Sequence, residues 1–324
     1  MIRAGIIGGS GYTGGELIRI LLMHPDAEIS FVYSTTRAGT KISDTHPDLL
    51  GVTDMRFTGT VDSGVDVVFL CLGHGNSTAF LKANSFSEQT KVIDLSNDFR
   101  LAGDASLDDR RFVYGLPELN REKIRNAGHI ANPGCFATAI QLALLPLASK
   151  QKLGNDVHIN AMTGSTGAGV ATSATTHFSW RNNNISWYKP FTHQHMGEIS
   201  ESLQSLQDEI PPIHFLPMRG NFTRGIFATA YTRYTDSLES AEALYREFYQ
   251  DASFTHVSDQ PLDLKQVVNT NQCHLHLHKH DDLLLVSSAI DNLLKGASGQ
   301  AVQNMNLMFG VEEGSGLQLK SGVF

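Results

Sequence analysis

The chain has 324 residues, of which 41% are hydrophobic and 18% charged, and a formal net charge of −8. This length suggests about two domains with a substantial core, and the apolar content excludes a disordered chain. An acidic balance without a Lys/Arg cluster argues against nucleic acid as a partner, and no apolar run reaches the roughly 18 residues of a membrane span. The opening MIRAGIIGGSGYTGG lacks the build of a signal peptide. Cys71, Cys135 and Cys273 are odd in number and far apart, which fits a reducing cytoplasm better than a disulfide framework.

In chain order, Ile2–Ile7 reads as a strand, Gly14–His24 as a helix and Ile29–Tyr33 as a second strand. Val65–Leu72 is a continuous apolar run of the kind expected in a strand covered on both faces. Ser77–Asn84 reads as a helix and Lys91–Leu95 as a further strand, so the first half predicts a parallel sheet flanked by helices. After Cys135 come a helix, Phe136–Ser149, and a strand, Val157–Met162, followed by a Gly/Ser/Thr-rich stretch. Strands at Ile226–Tyr234, Cys273–Lys279 and Leu283–Ile290, the last two joined by a turn at His280–Asp282, predict an α+β domain with a mainly antiparallel sheet. Helical periodicity runs from Leu293 through Phe309. The fold class expected is thus an α/β Rossmann-type domain plus an α+β domain, divided near Cys135.

Gly9, Gly11 and Gly14 satisfy G-x-G-x-x-G, and Gly8, Gly11 and Gly14 give a second, overlapping glycine pattern. Such glycines permit a tight turn, backbone approach to a pyrophosphate and close packing of helix on strand. The context is the required one, a strand before and a helix after, with the anion on the helix N-terminus. Gly8, Ser10, Gly11, Tyr12, Thr13 and Gly14 are therefore the candidate cofactor loop. An NAD site usually carries an acid at the end of the second strand. Here Tyr33 is followed by Ser34, Thr35, Thr36 and Arg37, chemistry that suits a 2′-phosphate and favours NADP.

Cys135 follows Asn132-Pro133-Gly134 and starts a helix, where the dipole lowers a thiol pKa and nearby amides could hold an oxyanion. Cys71 lies in an apolar strand and Cys273 precedes one, so Cys135 is the candidate nucleophile.

With these motifs the chain resembles the N-acetyl-γ-glutamyl-phosphate reductases, arginine-biosynthesis members of the aspartate-semialdehyde dehydrogenase superfamily. The resemblance runs nearly end to end, through GGSGYTGGEL (8–17), LGHGNS (72–77), DLSNDFRL (94–101), YGLPELNR (114–121) and NPGCFAT (132–138). It continues in TGSTGAG (163–169), HQHMGEI (193–199), RGIFAT (224–229) and AIDNLLKGASGQAVQNMNLM (289–308). Three departures flank the substrate pocket. Ala137 and Gly197 stand where the family usually has Pro, and segment 214–225 is longer than usual around its PM and RG elements.

The resemblance implies an NADPH-dependent reduction of an acyl phosphate through a thioester on Cys135, with phosphate release. It points to His193 and His195 as proton shuttles. At a spacing of two they point different ways, so one reaches the sulfur, and His195 is favoured by its nearness to the Gly197-Glu198 helix start. Arg100 resembles the arginine that holds the leaving phosphate, and Asn132, Arg224 and Glu198 join it as substrate-binding candidates. His74 looks like part of a cofactor-lining loop, as do Ser165 and Gly167, while Asn292 and Gly296 resemble the segment returning to the nicotinamide. The implied domains are 1–134 with 293–324, and 135–292, in a homodimer or homotetramer. Related acyl phosphates (N-succinylglutamyl, aminoadipyl or aspartyl) remain alternative substrates, and a non-catalytic NADP-binding sensor is the rival from another class. The sensor has no need of Cys135, a histidine and Arg100 together.

His274, His276, His278 and His280 alternate at period two and share one strand face. Parallel neighbouring side chains do not converge on a point, and no Cys or acid completes a set, so no metal is expected.

Overall fold

The structure, a computed structural model, describes residues 1–322. They form two compact units, one of Met1–Pro133 with Ala297–Gln318, the other of Gly134–Gly296 with the segment from Leu319.

The first unit alternates strand and helix: β1 (Ile2–Ile7), α1 (Tyr12–Leu21), β2 (Ala27–Tyr33), β3 (Val67–Leu70), α2 (Ser77–Ala83) and β4 (Lys91–Asp94). There follow β5 (Ser106–Leu107), β6 (Arg110–Tyr114), α3 (Pro117–Arg125) and β7 (His129–Ala131). The sheet order is β2-β1-β3-β4-β7-β6-β5, parallel throughout except at the β5–β6 edge. β3 is buried at all four positions, as a strand covered on both faces must be. Because β2 and β3 lie on opposite sides of β1, the strand order reverses at the carboxyl end of β1, where open α/β sheets bind ligands. The last helix, Ser298–Phe309, packs on α1 and α3 in this unit, and its Ser298 hydroxyl donates to the Thr13 carbonyl at 2.8 Å.

The second unit contains α4 (Cys135–Ser149), β8 (Val157–Thr163), α5 (Phe178–Arg181), β9 (Ser186–Trp187), α6 (Met196–Gln204) and β10 (Ile213–Arg219). β11 (Ile226–Arg233), α7 (Leu238–Phe248), β12 (Thr255–Val257), β13 (Cys273–His280) and β14 (Leu283–Ile290) complete it. Its sheet order is β12-β13-β14-β11-β8-β10-β9; β8–β10 and β12–β13 run parallel and the other four neighbours antiparallel. Buried and half-buried residues alternate along β8, the mark of one covered face.

α4 is buried from Phe136 through Ala148 and contains Pro146. Proline has no N–H for the carbonyl four residues back. That carbonyl, on Leu142, accepts the Tyr249 hydroxyl instead at 2.6 Å, and the Tyr245 hydroxyl donates to Ala143 beside it.

The last helix starts at Ser298, not Leu293, because the Asp291 carboxylate accepts the Leu293 and Leu294 amides and holds 291–297 as a turn. β10, a segment to which the sequence assigns no element, contains Pro217, a residue that strands rarely admit. The Pro217 carbonyl accepts the Tyr188 N–H, so the face lacking an N–H points away from the β8 ladder.

Candidate active site

In the first unit, the turn from β1 to α1 shows which glycines the fold itself demands. Gly8 has φ +80°, and a Cβ there would lie 2.6 Å from the Cys71 carbonyl oxygen. A Cβ on Gly9 would lie 2.1 Å from a Val32 methyl, and one on Gly14 2.6 Å from the Gly9 Cα. Gly11 differs, since its Cβ would meet nothing closer than 3.8 Å. It caps α1 without a side-chain hydrogen bond, and no acid occupies the first turn. The first amides of α1 and the open space over Gly11 together fit the pyrophosphate of a dinucleotide.

The Ser34 hydroxyl reaches the Ser10 hydroxyl at 3.4 Å, tying the end of β2 to the loop, while Thr35 and Arg37 are exposed beyond it. Tyr12 is 42% exposed at the start of α1. His46 braces the turn: its Nε2 donates to the Gly9 carbonyl at 2.7 Å, and a Cβ on Gly15 would run into its ring. Sequence reasoning missed it, because a single histidine in a loop carries no motif.

His74 Nδ1 accepts the Asn97 N–H at 3.2 Å, which clasps the loop after β3 to the one after β4. Asp98 strengthens the clasp by accepting the Gly75 and Thr78 amides. Burial opposes its charge, but those amides and the Ser96 and Thr78 hydroxyls hold its carboxyl below the ordinary value. Arg100 is buried, with Nε on the Asn132 carbonyl and Nη2 on the Leu95 carbonyl, both at 2.9 Å. Asn132 is fully buried; its Nδ2 donates to Ala297 and its Oδ1 accepts from Asn304.

In the second unit, Cys135 is the first residue of α4, after Gly134 in an extended N-cap conformation. The first intrahelical bond runs from Thr138 N–H to the Gly134 carbonyl, so the first-turn amides lie outside the helix ladder. The dipole favours negative charge at that end. The His195 imidazole lies against Gly134, where a Cβ would be 2.4 Å from Nε2. Glu198 joins the group: Oε2 accepts the Gly134 N–H at 2.9 Å, and Oε1 is 4.0 Å from His195 Nε2. His193 stands edge-on to His195, 4.6 Å between ring centroids, and its Nδ1 accepts the His195 N–H at 3.2 Å. Burial, with a smaller push from Lys189, lowers the His193 pKa to about 4. Gly296 also flanks the nucleophile, since its Cβ would lie 2.8 Å from that of Cys135. The other thiols are unsuited: burial pushes Cys71 up to about 12, and Cys273 is fully buried.

Tyr188 and Arg219 extend this group and were not singled out from sequence. The Tyr188 ring is 5.8 Å from that of His193, and the Arg219 guanidinium lies 4.8 Å over the Tyr188 ring. Burial and then the nearby Cys135 charge push the Tyr188 phenol up to about 12, against the pull of Arg219. Each stands five residues before a motif residue, Tyr188 before His193 and Arg219 before Arg224, but a single aromatic or a single cation at that distance forms no pattern of its own.

Arg224 holds the buried Asp291 with Nε at 3.0 Å and Nη2 at 3.3 Å. Asn292 Oδ1 accepts the Gly225 N–H, and its Nδ2 donates to Thr166 in the turn that carries half-buried Ser165 and exposed Gly167. The β13 histidines lie on one open face, where His276 Nδ1 bonds the Ser258 carbonyl rather than a neighbouring imidazole. Asp156, His158 and His214 form a separate group with donor atoms within 4.8 Å of one another, the one such cluster among the described residues.

Residues 3–127 match the family described as "Semialdehyde dehydrogenase, NAD binding domain", and 135–292 match "Semialdehyde dehydrogenase, dimerisation domain". A curated N-acetyl-gamma-glutamyl-phosphate reductase of Christiangramia forsetii is 61% identical over 325 residues, covering 100% of both chains. Another protein of that name, from Flavobacterium johnsoniae, is 60% identical over the same span. Among solved structures, aspartate semialdehyde dehydrogenase II of Vibrio cholerae complexed with ASA shares the fold at TM-score 0.68 and 16% identity, covering 96% of this chain and 98% of that one. The chain belongs to the semialdehyde dehydrogenase family, in its N-acetyl-γ-glutamyl-phosphate reductase branch.

Proposed function

We propose that this enzyme reduces N-acetyl-γ-glutamyl phosphate to N-acetylglutamate semialdehyde, releasing phosphate, and that Cys135 carries the acyl group between the two half-reactions. The observation that supports this reading most is the joining of Cys135, His195 and Glu198 around Gly134 at the head of a buried helix. Cys135 Sγ attacks the acyl carbon, the first-turn amides of α4 stabilise the oxyanion, and the carbon–oxygen bond to phosphate breaks to leave a thioester. NADPH, when bound, supplies the hydride that reduces this thioester. His195 then donates a proton to the resulting oxyanion, and takes it back as the carbon–sulfur bond breaks and the aldehyde leaves. Glu198 holds His195 and the Gly134 amide in register, and His193 stays neutral behind them.

The loop at Gly8–Gly14 holds the pyrophosphate, and Ser34, Thr35 and Arg37 read the ribose end, preferring NADP. His74 in the first unit, and Ser165, Gly167, Asn292 and Gly296 in the second, are the further cofactor candidates. Arg100 and Asn132 act on substrate by fixing the backbone carbonyls they bond, and Arg224 by fixing the Asp291 carboxylate. Three free thiols fit a cytoplasmic enzyme, and the second unit fits self-association as a dimer or tetramer. Among the described residues no helix is long and apolar enough to cross a membrane.

The test is a panel of semialdehydes oxidised with NADP and phosphate. N-Acetylglutamate semialdehyde should be turned over at least tenfold more efficiently than aspartate semialdehyde; the reverse order would refute the substrate assignment.

A further inference from the structure

Two arginines of the second unit carry positive charge that no acid among the described residues offsets. Arg219 ends β10, and its Nε is buried without a partner. Arg181, in α5, is 7% exposed; its Nη1 donates to the Arg219 carbonyl at 2.8 Å, and its Nε and Nη2 donate to the Thr175 carbonyl at 3.3 Å. Burial and then the Arg219 charge lower the Arg181 pKa, so the like charges are close enough to repel. Leaving a buried and a half-buried like charge without a counter-ion is costly, and an anionic ligand relieves it.

The pair stands next to the chemistry. Arg219 lies over the Tyr188 ring, Tyr188 meets His193, His193 meets His195, and His195 rests on Gly134 beside Cys135. Arg224, one of the substrate-binding candidates from the sequence, is clamped on Asp291, whose side chain is fully buried. Arg219 also falls in segment 214–225, which is longer than the usual family form.

We propose that Arg219, backed by Arg181, forms an anion subsite that takes a carboxylate of the substrate. A guanidinium fork suits a carboxylate better than any other single side chain does. Two carboxylates have this chemistry: the glutamyl α-carboxylate, and one at the far end of a dicarboxylic N-acyl group such as succinyl. This inference rests on the acyl-phosphate reductase reading.

The test compares the full-length parent enzyme with Arg219→Gln and Arg219→Lys on N-acetyl- and N-succinylglutamate semialdehydes, separating KM from kcat. A loss of about 10²-fold in kcat/KM on both substrates, mainly through KM, assigns the α-carboxylate. The same loss confined to the N-succinyl substrate assigns the acyl carboxylate. Arg219→Lys, keeping the charge without the fork, should restore part of either loss. Glutarate protection of Cys135 from iodoacetamide needs no turnover, and so separates failure of the subsite from failure of the reductase reading. Protection seen in the parent and lost in Arg219→Gln supports the subsite. Unchanged kinetics on both substrates, or equal protection in parent and variant, overturns it.

Discussion

His193 Nδ1 accepts the backbone N–H of His195, so that nitrogen carries no proton, and burial keeps the ring neutral down to about pH 4. His195 instead touches Gly134 and faces Glu198, the position that the proposed mechanism gives to the proton shuttle. His195→Asn should lower kcat by about 10²–10⁴-fold, as loss of general acid–base help does. His193→Asn should act mainly on KM and stability. Steady-state kinetics on both variants decides, and a tenfold or smaller loss in kcat for His195→Asn would move the shuttle elsewhere. His193 also shapes the response to acid. Its folded pKa is below the ordinary histidine value, so the unfolded chain binds the extra proton as pH falls, and stability declines below about pH 6.5. The His193→Asn variant should therefore lose less stability than the parent between pH 7 and pH 5, by on the order of 1–2 kcal/mol in denaturant titrations. At the other end of the chemistry, Arg37→Glu should lower kcat/KM for NADPH and spare NADH; equal values for both coenzymes in the parent would refute the role given to residues 34–37.

At the scale of elements, the β1–α1 turn separates what folding needs from what binding needs. Gly9→Ala places a methyl into Val32 and should destabilise the protein. Gly11→Ala meets no protein atom closer than 3.8 Å, so the fold should hold while the dinucleotide loses its approach. Thermal melts beside coenzyme titrations distinguish the two, and an unaltered coenzyme affinity in Gly11→Ala would place the pyrophosphate elsewhere. α4 offers a second element-scale test. Tyr249→Phe removes the hydroxyl that donates to the Leu142 carbonyl opposite Pro146. Leaving that buried acceptor unpaired should cost about 1–3 kcal/mol in denaturant unfolding.

Over the whole molecule, the sequence is most legible where pattern and local chemistry coincide. The glycine loop between β1 and α1, the apolar run of β3 and the Pro-Gly-Cys start of α4 each have a local cause that can be read one residue at a time. β7 has three residues and β10 contains Pro217, so neither shows the alternation that marks a strand. Their pairing is set by neighbours distant in sequence. The candidate site divides the same way. Cys135, His195 and Glu198 sit in motifs, whereas Tyr188, Arg219 and His46 owe their positions to tertiary packing alone. Arg100 and Arg224 have the right chemistry for anions, yet the fold directs them to backbone carbonyls and to Asp291.

The central claim is that Cys135 carries the acyl group. Mixing the enzyme with N-acetylglutamate semialdehyde and NADP in the absence of phosphate allows one half-reaction and no release of acyl phosphate. The expected result is a burst of about one NADPH per subunit, with the acyl mass found on the peptide containing Cys135, and neither burst nor adduct in Cys135→Ala. A burst that survives in Cys135→Ala, or an acyl group found on another residue, would contradict the account.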